Sequence, residues 1–170
     1  MNVAVQLEPA EGELPRVVYR WDPDTEILIA SLDGSTTRDG MSGSVELMGS
    51  DGSWLALDVS KGRIRGVEVA VWPEVETRAV LAAPTVIDER RIVIPSRASQ
   101  PGIASVGVDS ALVAETNEAE SIIHFRLGKK REVRTVRLAD DVLVELDAQK
   151  RIAGMWFLNV PPFPATGDAS

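Results

Sequence analysis

The chain has 170 residues, a net charge of −8 at pH 7, 44% hydrophobic residues and no cysteine. This length suffices for one domain with a buried core, and the lack of cysteine excludes disulfides, thiolate nucleophiles and cysteine metal sites. The acidic balance argues against nucleic-acid binding, no apolar run approaches the ~18 residues of a membrane span, and the N-terminus does not resemble a signal peptide. We expect one cytoplasmic domain over residues 1–170, monomeric or homodimeric, with no membrane partner.

The first half of the chain predicts four strands. Residues 15–21 and 27–32 are apolar or β-branched runs on either side of the turn signal Asp22-Pro23-Asp24-Thr25. Residues 53–58 and 63–71 are two further runs, joined by a short turn. We expect Asp58 to hold that turn through bonds from its side chain to the backbone.

A loop rich in glycine and serine, DGSTTRDGMSGS, extends from Asp33 to Ser44 (33–44) between these pairs of strands. It can be interpreted as an anion-binding or mobile functional loop, or as an inserted loop without function. No lysine follows its last glycine, so it is not the phosphate-binding loop of nucleotide hydrolases. Ser42 is not in the setting of a hydrolase nucleophile elbow.

The middle of the chain predicts one helix over residues 73–83. Proline comes first, acids fill the first turn and Pro84 ends the pattern. A strand over 77–81 is the alternative. Residues 91–95 form a short strand, after which a connector punctuated by proline and glycine follows.

The second half of the chain echoes the first. Arg63-Ile64-x-Gly66 matches Arg151-Ile152-x-Gly154, and each match is followed by apolar residues and a proline. Upstream, Asp58 aligns with Asp147 if the turn is one residue longer in the first copy. We therefore predict an internal duplication, about 16–73 and 111–161, joined by a connector over 74–110.

This duplication sets the predicted fold class. We expect a mainly β protein with two β-hairpin-rich halves packed as one pseudo-two-fold domain, a sandwich or open barrel, with at most one or two short helices. The apolar faces of the two halves should meet each other. From Pro161 onward the prolines cannot continue a strand, so this tail is expected to fray.

A family resemblance rests on two motifs of the first copy. Trp21-Asp22-Pro23-x-x-Glu26-x-Leu28 is followed by Asp58-x-x-x-Gly62-Arg63-Ile64-x-Gly66-Val67-Glu68-Val69. This pattern resembles the small bacterial proteins grouped as domain of unknown function 2283, and the second copy resembles it more weakly, with Trp156 in the place of Glu68. The resemblance implies a small β-rich fold and no catalytic activity.

Two features are candidates for chemistry. His124 is the one histidine and lies in an apolar strand, so a serine–histidine–acid triad would have to include it, and we expect it on an exposed face or strand edge. The segment from Arg126 to Arg137 predicts a basic hairpin around Gly128. It is either a patch for a phosphate backbone or an acidic protein, or a solvated hairpin with charged edges.

The carboxylates and tryptophans form no diagnostic motif. Asp147 is expected to open a hairpin turn as Asp58 does, and the acids are not spaced as in a calcium loop. The four tryptophans predict core packing, with each indole N–H meeting an acceptor: Trp21, Trp54, Trp72 and Trp156. We assign no catalytic, cofactor-binding or metal-binding residue and no cofactor.

A non-enzymatic protein-interaction or regulatory module is the favoured function. The first alternative is an acidic, antitoxin-like inhibitor of a basic partner. The second is a ligand-binding protein or enzyme that uses the 33–44 loop or a pair of carboxylates.

Overall fold

The computed structural model describes residues 4–10, 12–33, 43–95, 103–107 and 112–164, with the backbone alone for 33 and 103–107. Within these ranges the chain forms strands and turns and contains no helix, which confirms the mainly β prediction. The strands, in chain order, are β1 (Gln6–Glu8), β2 (Arg16–Trp21), β3 (Leu28–Asp33), β4 (Gly43–Met48), β5 (Trp54–Ser60), β6 (Arg63–Val71), β7 (Val75–Arg78), β8 (Arg91–Val93), β9 (Ile103–Gly107), β10 (Val113–Asn117), β11 (Ile123–Arg126), β12 (Arg134–Ala139), β13 (Val142–Leu146) and β14 (Ile152–Phe157).

The strands form two six-stranded sheets and one small sheet. The first sheet has the order β2-β3-β6-β5-β4-β9, the second has the order β12-β13-β14-β11-β10-β7, and β1 pairs with β8. Neighbouring strands are antiparallel, except that β9 pairs in parallel with β4 and β7 pairs in parallel with β10. In the described parts of the chain, neither large sheet closes on itself.

Five strands of each large sheet share one order. When β2 to β6 are matched in sequence with β10 to β14, these five strands have the same neighbours among themselves in both sheets. The sixth strand differs, because β9 lies beside β4 in the first sheet whereas β7 lies beside β10, the counterpart of β2, in the second. Each sheet also has a register shift at the same place, between Asp58 and Val59 in the first and between Glu145 and Leu146 in the second. A shared order is what an internal duplication would produce, and the duplication itself stays a prediction.

The inner faces of both sheets contribute to one hydrophobic core. Along β5 and β10, for example, alternate residues face inward, as the two-residue period of a strand requires. Leu55 and Leu57 of the first sheet and Phe125 and Phe157 of the second belong to the same buried cluster. The protein is therefore a β-sandwich.

The helix predicted over 73–83 is wrong. Residues Val75–Arg78 form β7, a fully exposed edge strand in which Val75 lies beside Ala114 and Arg78 beside Asn117. The start signals of the sequence are local, whereas the pairing partner comes from a strand nearly forty residues away. Tertiary pairing therefore overrides the local preference.

The expected role of Asp58 is also wrong. Asp58 is exposed within β5 and lies opposite Gly66, and the turn that follows consists of Lys61 and Gly62, both at positive φ. In the second sheet Glu145, not Asp147, lies opposite Gly154. The strand register thus matches Asp58 with Glu145, and the longer turn is in the second half.

The basic hairpin predicted from Arg126 to Arg137 does not form. β11 pairs with β10 and β14, whereas β12 pairs with β13, so the strands on either side of Gly128 are not neighbours. In the first half, β3 and β4 are separated in the same way. The connection between β11 and β12 must pass two other strands.

Candidate binding cleft

An open cleft of about 350 Å³ lies between the two large sheets at one end of the sandwich. Trp21 ends β2, Trp72 directly follows β6, and Val75 begins β7, so the cleft is built where strands of both sheets stop. The side chains that line it are mostly apolar: Trp21, Glu26, Trp72, Val75, Thr116, Glu120, Ile123 and Phe163.

Three aromatic rings form the wall of the cleft. The rings of Trp21 and Trp72 are stacked, with centroids 5.7 Å apart, and Phe163 meets Trp21 edge-on at 5.2 Å. Trp72 also contacts Phe125 of the core at 5.6 Å, which connects the wall to the rigid interior. Phe163 belongs to the segment that was expected to fray, and its contact with Trp21 shows that the start of this segment packs on the sandwich instead.

Backbone carbonyls hold the two indole rings in place. Trp21 donates its Nε1–H to the carbonyl of Pro161 at 2.8 Å, and Trp72 donates its Nε1–H to the carbonyl of Glu26 at 2.8 Å. Because both polar N–H groups are satisfied, the ring faces offer apolar surface to a ligand. The positions of the rings are set before any ligand arrives.

The charged groups that line the cleft are acidic. Glu26 and Glu120 come from the turns that follow β2 and β10, and both have positive φ, 60° and 56°. Among the described residues that line the cleft, no lysine, arginine or histidine balances these two carboxylates. The cleft is therefore suited to an apolar group that lies next to a positive charge.

The cleft has the features of a binding site and lacks a catalytic arrangement among its described lining residues. Among the described residues that line the cleft, Thr116 alone carries a hydroxyl. That hydroxyl is buried and donates to the carbonyl of Ile122 at 2.9 Å. A nucleophilic hydroxyl needs a neighbouring base, and the two turn glutamates are the only titratable groups in the described part of the cleft lining.

His124 lies elsewhere, on the outer face of the second sheet. Its Nε2 is 2.7 Å from a carboxylate oxygen of Glu145, its Nδ1 is 3.8 Å from one of Glu115, and its ring stacks on Trp156 at 4.1 Å. The side chain is only 14% exposed, so the expected exposed position is wrong. The ring is held between two carboxylates and an indole.

A crossing segment, residues 79–87, passes over the same face of the sheet. It begins after β7 at one edge of the second sheet and ends where Asp88 bridges Val136 of β12 at the other edge. Its residues Val86 and Ile87 line a cleft with Glu145, which places the segment over the outer face. Long-range chain crossing cannot be seen in the local pattern around His124.

The basic residues from Arg126 to Arg137 are dispersed over several partners. Arg131 is 3.3 Å from a carboxylate oxygen of Asp147, Arg134 is 3.7 Å from one of Asp88, and Arg126 donates to the carbonyl of Gly128. The arrangement is not a continuous basic patch.

The tryptophan prediction holds for half of the set. Trp21 and Trp72 have acceptors, whereas the Nε1 atoms of Trp54 and Trp156 are buried without a hydrogen-bond partner.

Of the 33–44 loop, residues 34–42 lie outside the described ranges, so its proposed role stays a prediction. Asp147 does open its hairpin turn, as expected.

No group of histidine, cysteine and carboxylate side chains in the described ranges has the geometry to hold a metal ion. In the same part of the chain, no helix has the length and apolar character needed to cross a membrane.

Neither a protein-family model nor a curated protein matches the sequence. The resemblance to domain of unknown function 2283 therefore stays a prediction.

Proposed function

We propose that this protein is a non-enzymatic, cytoplasmic interaction module that binds a short segment of another protein in the aromatic cleft. In this proposal an apolar side chain of the partner lies against Trp21, Trp72 and Phe163. A lysine or arginine next to it faces Glu26 and Glu120. The observation that supports the proposal is the combination of a preformed aromatic wall with carboxylates as the only charged groups among the described residues that line the cleft.

Simple energetics supports a protein segment as the ligand. Burial of one leucine-sized side chain contributes about 1.5–3 kcal/mol, and an exposed ion pair adds less than about 1 kcal/mol. A single residue would thus bind weakly, and a useful affinity needs several contacts along an extended segment. The open cleft gives such a segment room to enter and leave at its ends.

The net charge of −8 supports a basic partner in general. An antitoxin-like inhibitor is a narrower form of the same proposal, in which the basic partner is an enzyme or toxin that loses its activity when bound. Both forms require binding at the acidic cleft, and they differ only in what happens to the partner.

Selection from a library of random peptides displayed on phage tests the proposal. We expect the full chain to enrich peptides in which an aromatic or large aliphatic residue is adjacent to lysine or arginine. Their affinity should fall about tenfold in Phe163→Ala, which removes one ring of the wall, and roughly two- to tenfold in Glu120→Lys, which reverses a rim charge.

Glu118→Lys is the matched control, because Glu118 is exposed in the same turn but does not line the cleft. It reverses the same charge and should leave peptide affinity within about twofold of wild type. The proposal is wrong if no peptide family is enriched, or if enriched peptides bind Phe163→Ala and Glu120→Lys as tightly as the wild type.

A further inference from the structure

The edge strand β7 borders the aromatic cleft and is open on one side. It consists of the four residues Val75–Arg78, all of which are exposed. Among the strands of the described chain, β7 has a neighbour on one side only, which is β10. An edge strand directs the backbone N–H and C=O groups of every second residue to its open side, where they can pair with another chain.

The strand register shows which side chains of an added strand would face the cleft. Val75 pairs with Ala114 and Thr77 pairs with Thr116, and both β10 residues are buried, so this side of β7 belongs to the inner face. Val75 also lines the cleft together with Trp72. Because residues opposite each other in a sheet share one face, a residue added opposite Val75 would project toward the aromatic wall. An apolar side chain suits this position.

The outer face of the same two strands is acidic. Glu76 pairs with Glu115 and therefore shares the outer face with it. Arg78 is divided between these two carboxylates, at 2.6 Å from Glu76 and 2.7 Å from Glu115, and His124 lies 3.8 Å from Glu115. Glu74, which is exposed directly before the strand, adds another negative charge. A lysine or arginine therefore suits the position opposite Glu76 in an added strand.

We propose that the partner segment binds as an extra strand on β7, with apolar and basic residues in alternation. This inference rests on the function proposed above and specifies the conformation and the sequence pattern of the segment. The apolar residues face the aromatic wall beyond Val75, and the basic residues face Glu76. Main-chain hydrogen bonds to β7 supply affinity that any sequence can share, and the alternating side chains supply specificity.

A basic segment suits this open edge better than a second copy of the chain. Each copy has a net charge of −8, and pairing of β7 with β7 would bring Glu74 and Glu76 of both copies together. A basic segment instead meets opposite charge at the edge and gains the contacts of the aromatic cleft as well.

Two synthetic peptides of equal composition test the alternation. In acetyl-KLKFKLK-amide the lysines alternate with apolar residues, whereas acetyl-KKLFLKK-amide places the apolar residues in one block. We expect the full chain to bind the alternating peptide about tenfold more tightly, as measured by isothermal titration calorimetry. The reason is that only this peptide, when extended, has all its apolar side chains on one face.

Single N-methyl groups, moved along the backbone of the alternating peptide, test the strand itself. A methyl group removes a hydrogen bond where the peptide N–H faces β7, and removes none where the N–H points away. Strand addition therefore predicts that affinity falls about tenfold at every second position and stays within about twofold at the positions between. Insertion of side chains into the cleft without strand pairing predicts no such period.

Hydrogen exchange of the β7 amides, followed by NMR, locates the added strand. In the free chain every second amide from Val75 to Arg78 should exchange fast, because it does not bond to β10. When the alternating peptide occupies about nine-tenths of the chain, these amides should exchange about tenfold more slowly, because exchange then requires the free state.

Charge reversal on the strand completes the test. Glu76→Lys should weaken binding of the alternating peptide about two- to tenfold. Glu118→Lys, which reverses an exposed charge directly after β10, should leave the affinity within about twofold. Thermal melts establish that both variants are folded, and if Glu76→Lys is not, the N-methyl series with the wild-type chain decides.

Equal affinities for the two peptides, no binding of either, or an N-methyl series without alternation would overturn strand addition. So would β7 amides that are already slow in the free chain and become slower at higher chain concentration, since a second copy would then occupy the edge. The cleft proposal is decided separately. It stands if peptides from the phage selection still lose affinity in Phe163→Ala, and it fails together with strand addition if no peptide is enriched.

Discussion

Substitution of Asp147 by alanine is the sharpest test of how the second hairpin turn is held. The Asp147 side chain is 2% exposed and accepts hydrogen bonds from the backbone N–H groups of Gln149 and Arg151, at 3.0 and 2.9 Å. It also accepts from the Nε of Arg151 at 2.9 Å and from the Nε of Arg131 at 3.3 Å. Removal of the carboxylate leaves all four donors without this acceptor.

The magnitude follows from those four bonds. The two backbone donors account for about 1 kcal/mol each, and the two arginines, which can turn to water, for about 1 kcal/mol together. We expect Asp147→Ala to lower the free energy of unfolding by about 3 kcal/mol. For a chain of this size that corresponds to a fall in Tm of about 6–12 °C.

Asp58→Ala is the matched control. Asp58 was equated with Asp147 from the sequence, but it is exposed within β5. Its removal should change Tm by less than about 2 °C. Thermal unfolding followed by circular dichroism measures both variants, and equal losses for the two would refute the assignment of Asp147 as the residue that holds its turn.

The Asp147→Ala variant also gives a prediction for pH dependence. Burial raises the pKa of Asp147, but the N–H donors of Arg151 and Gln149 and the Arg151 guanidinium outweigh it, so the net pKa is lowered. A lowered folded pKa means that the stabilisation is present above the unfolded value of about 3.9 and is lost as pH falls through the folded pKa. The Tm difference between wild type and Asp147→Ala should therefore be constant at neutral pH and close in acid.

Two further predictions concern single contacts. Tyr19 is the one tyrosine, and burial together with the charge of Asp141 raises the pKa of its phenol. The absorbance of Tyr19 should therefore titrate above the usual pKa of about 10, and the stability that the neutral phenol contributes should be lost only as pH rises past that value. A titration midpoint at the usual pKa would contradict the burial of Tyr19. Gly154→Ala should destabilise the chain severely, because a Cβ there would lie 2.6 Å from the Phe125 carbonyl and would clash with Glu145, whereas Gly66→Ala meets nothing closer than 3.4 Å and should be tolerated. Equal Tm values for the two alanine variants would contradict the packing described.

The sequence predicts the strands better than their partners. Alternation and turn signals place β2, β3, β5 and β6 within two residues of their observed ends, because these signals are local. The helix at 73–83 and the hairpin around Gly128 fail for the opposite reason: their outcome depends on strands that arrive from distant parts of the chain. The alignment of Asp58 with Asp147 fails because residue identity, rather than strand register, decided the match.

The aromatic cleft, too, could be predicted from the sequence only in part. Trp21 and Trp72 stand out in the sequence, since each lies at the end of a predicted strand and shortly before a proline. Their stacking, and the arrival of Phe163 beside them, depend on the packing of the two sheets.

The four indole N–H resonances provide the most direct test of the binding cleft. A peptide recovered by the selection would be titrated into the labelled full chain, and the indole signals of Trp21, Trp54, Trp72 and Trp156 would be followed by NMR. We predict that the signals of Trp21 and Trp72 shift with saturation while those of Trp54 and Trp156 stay in place, because only the first two line the cleft. Saturable shifts at Trp54 or Trp156 with none at Trp21 and Trp72 would contradict the account.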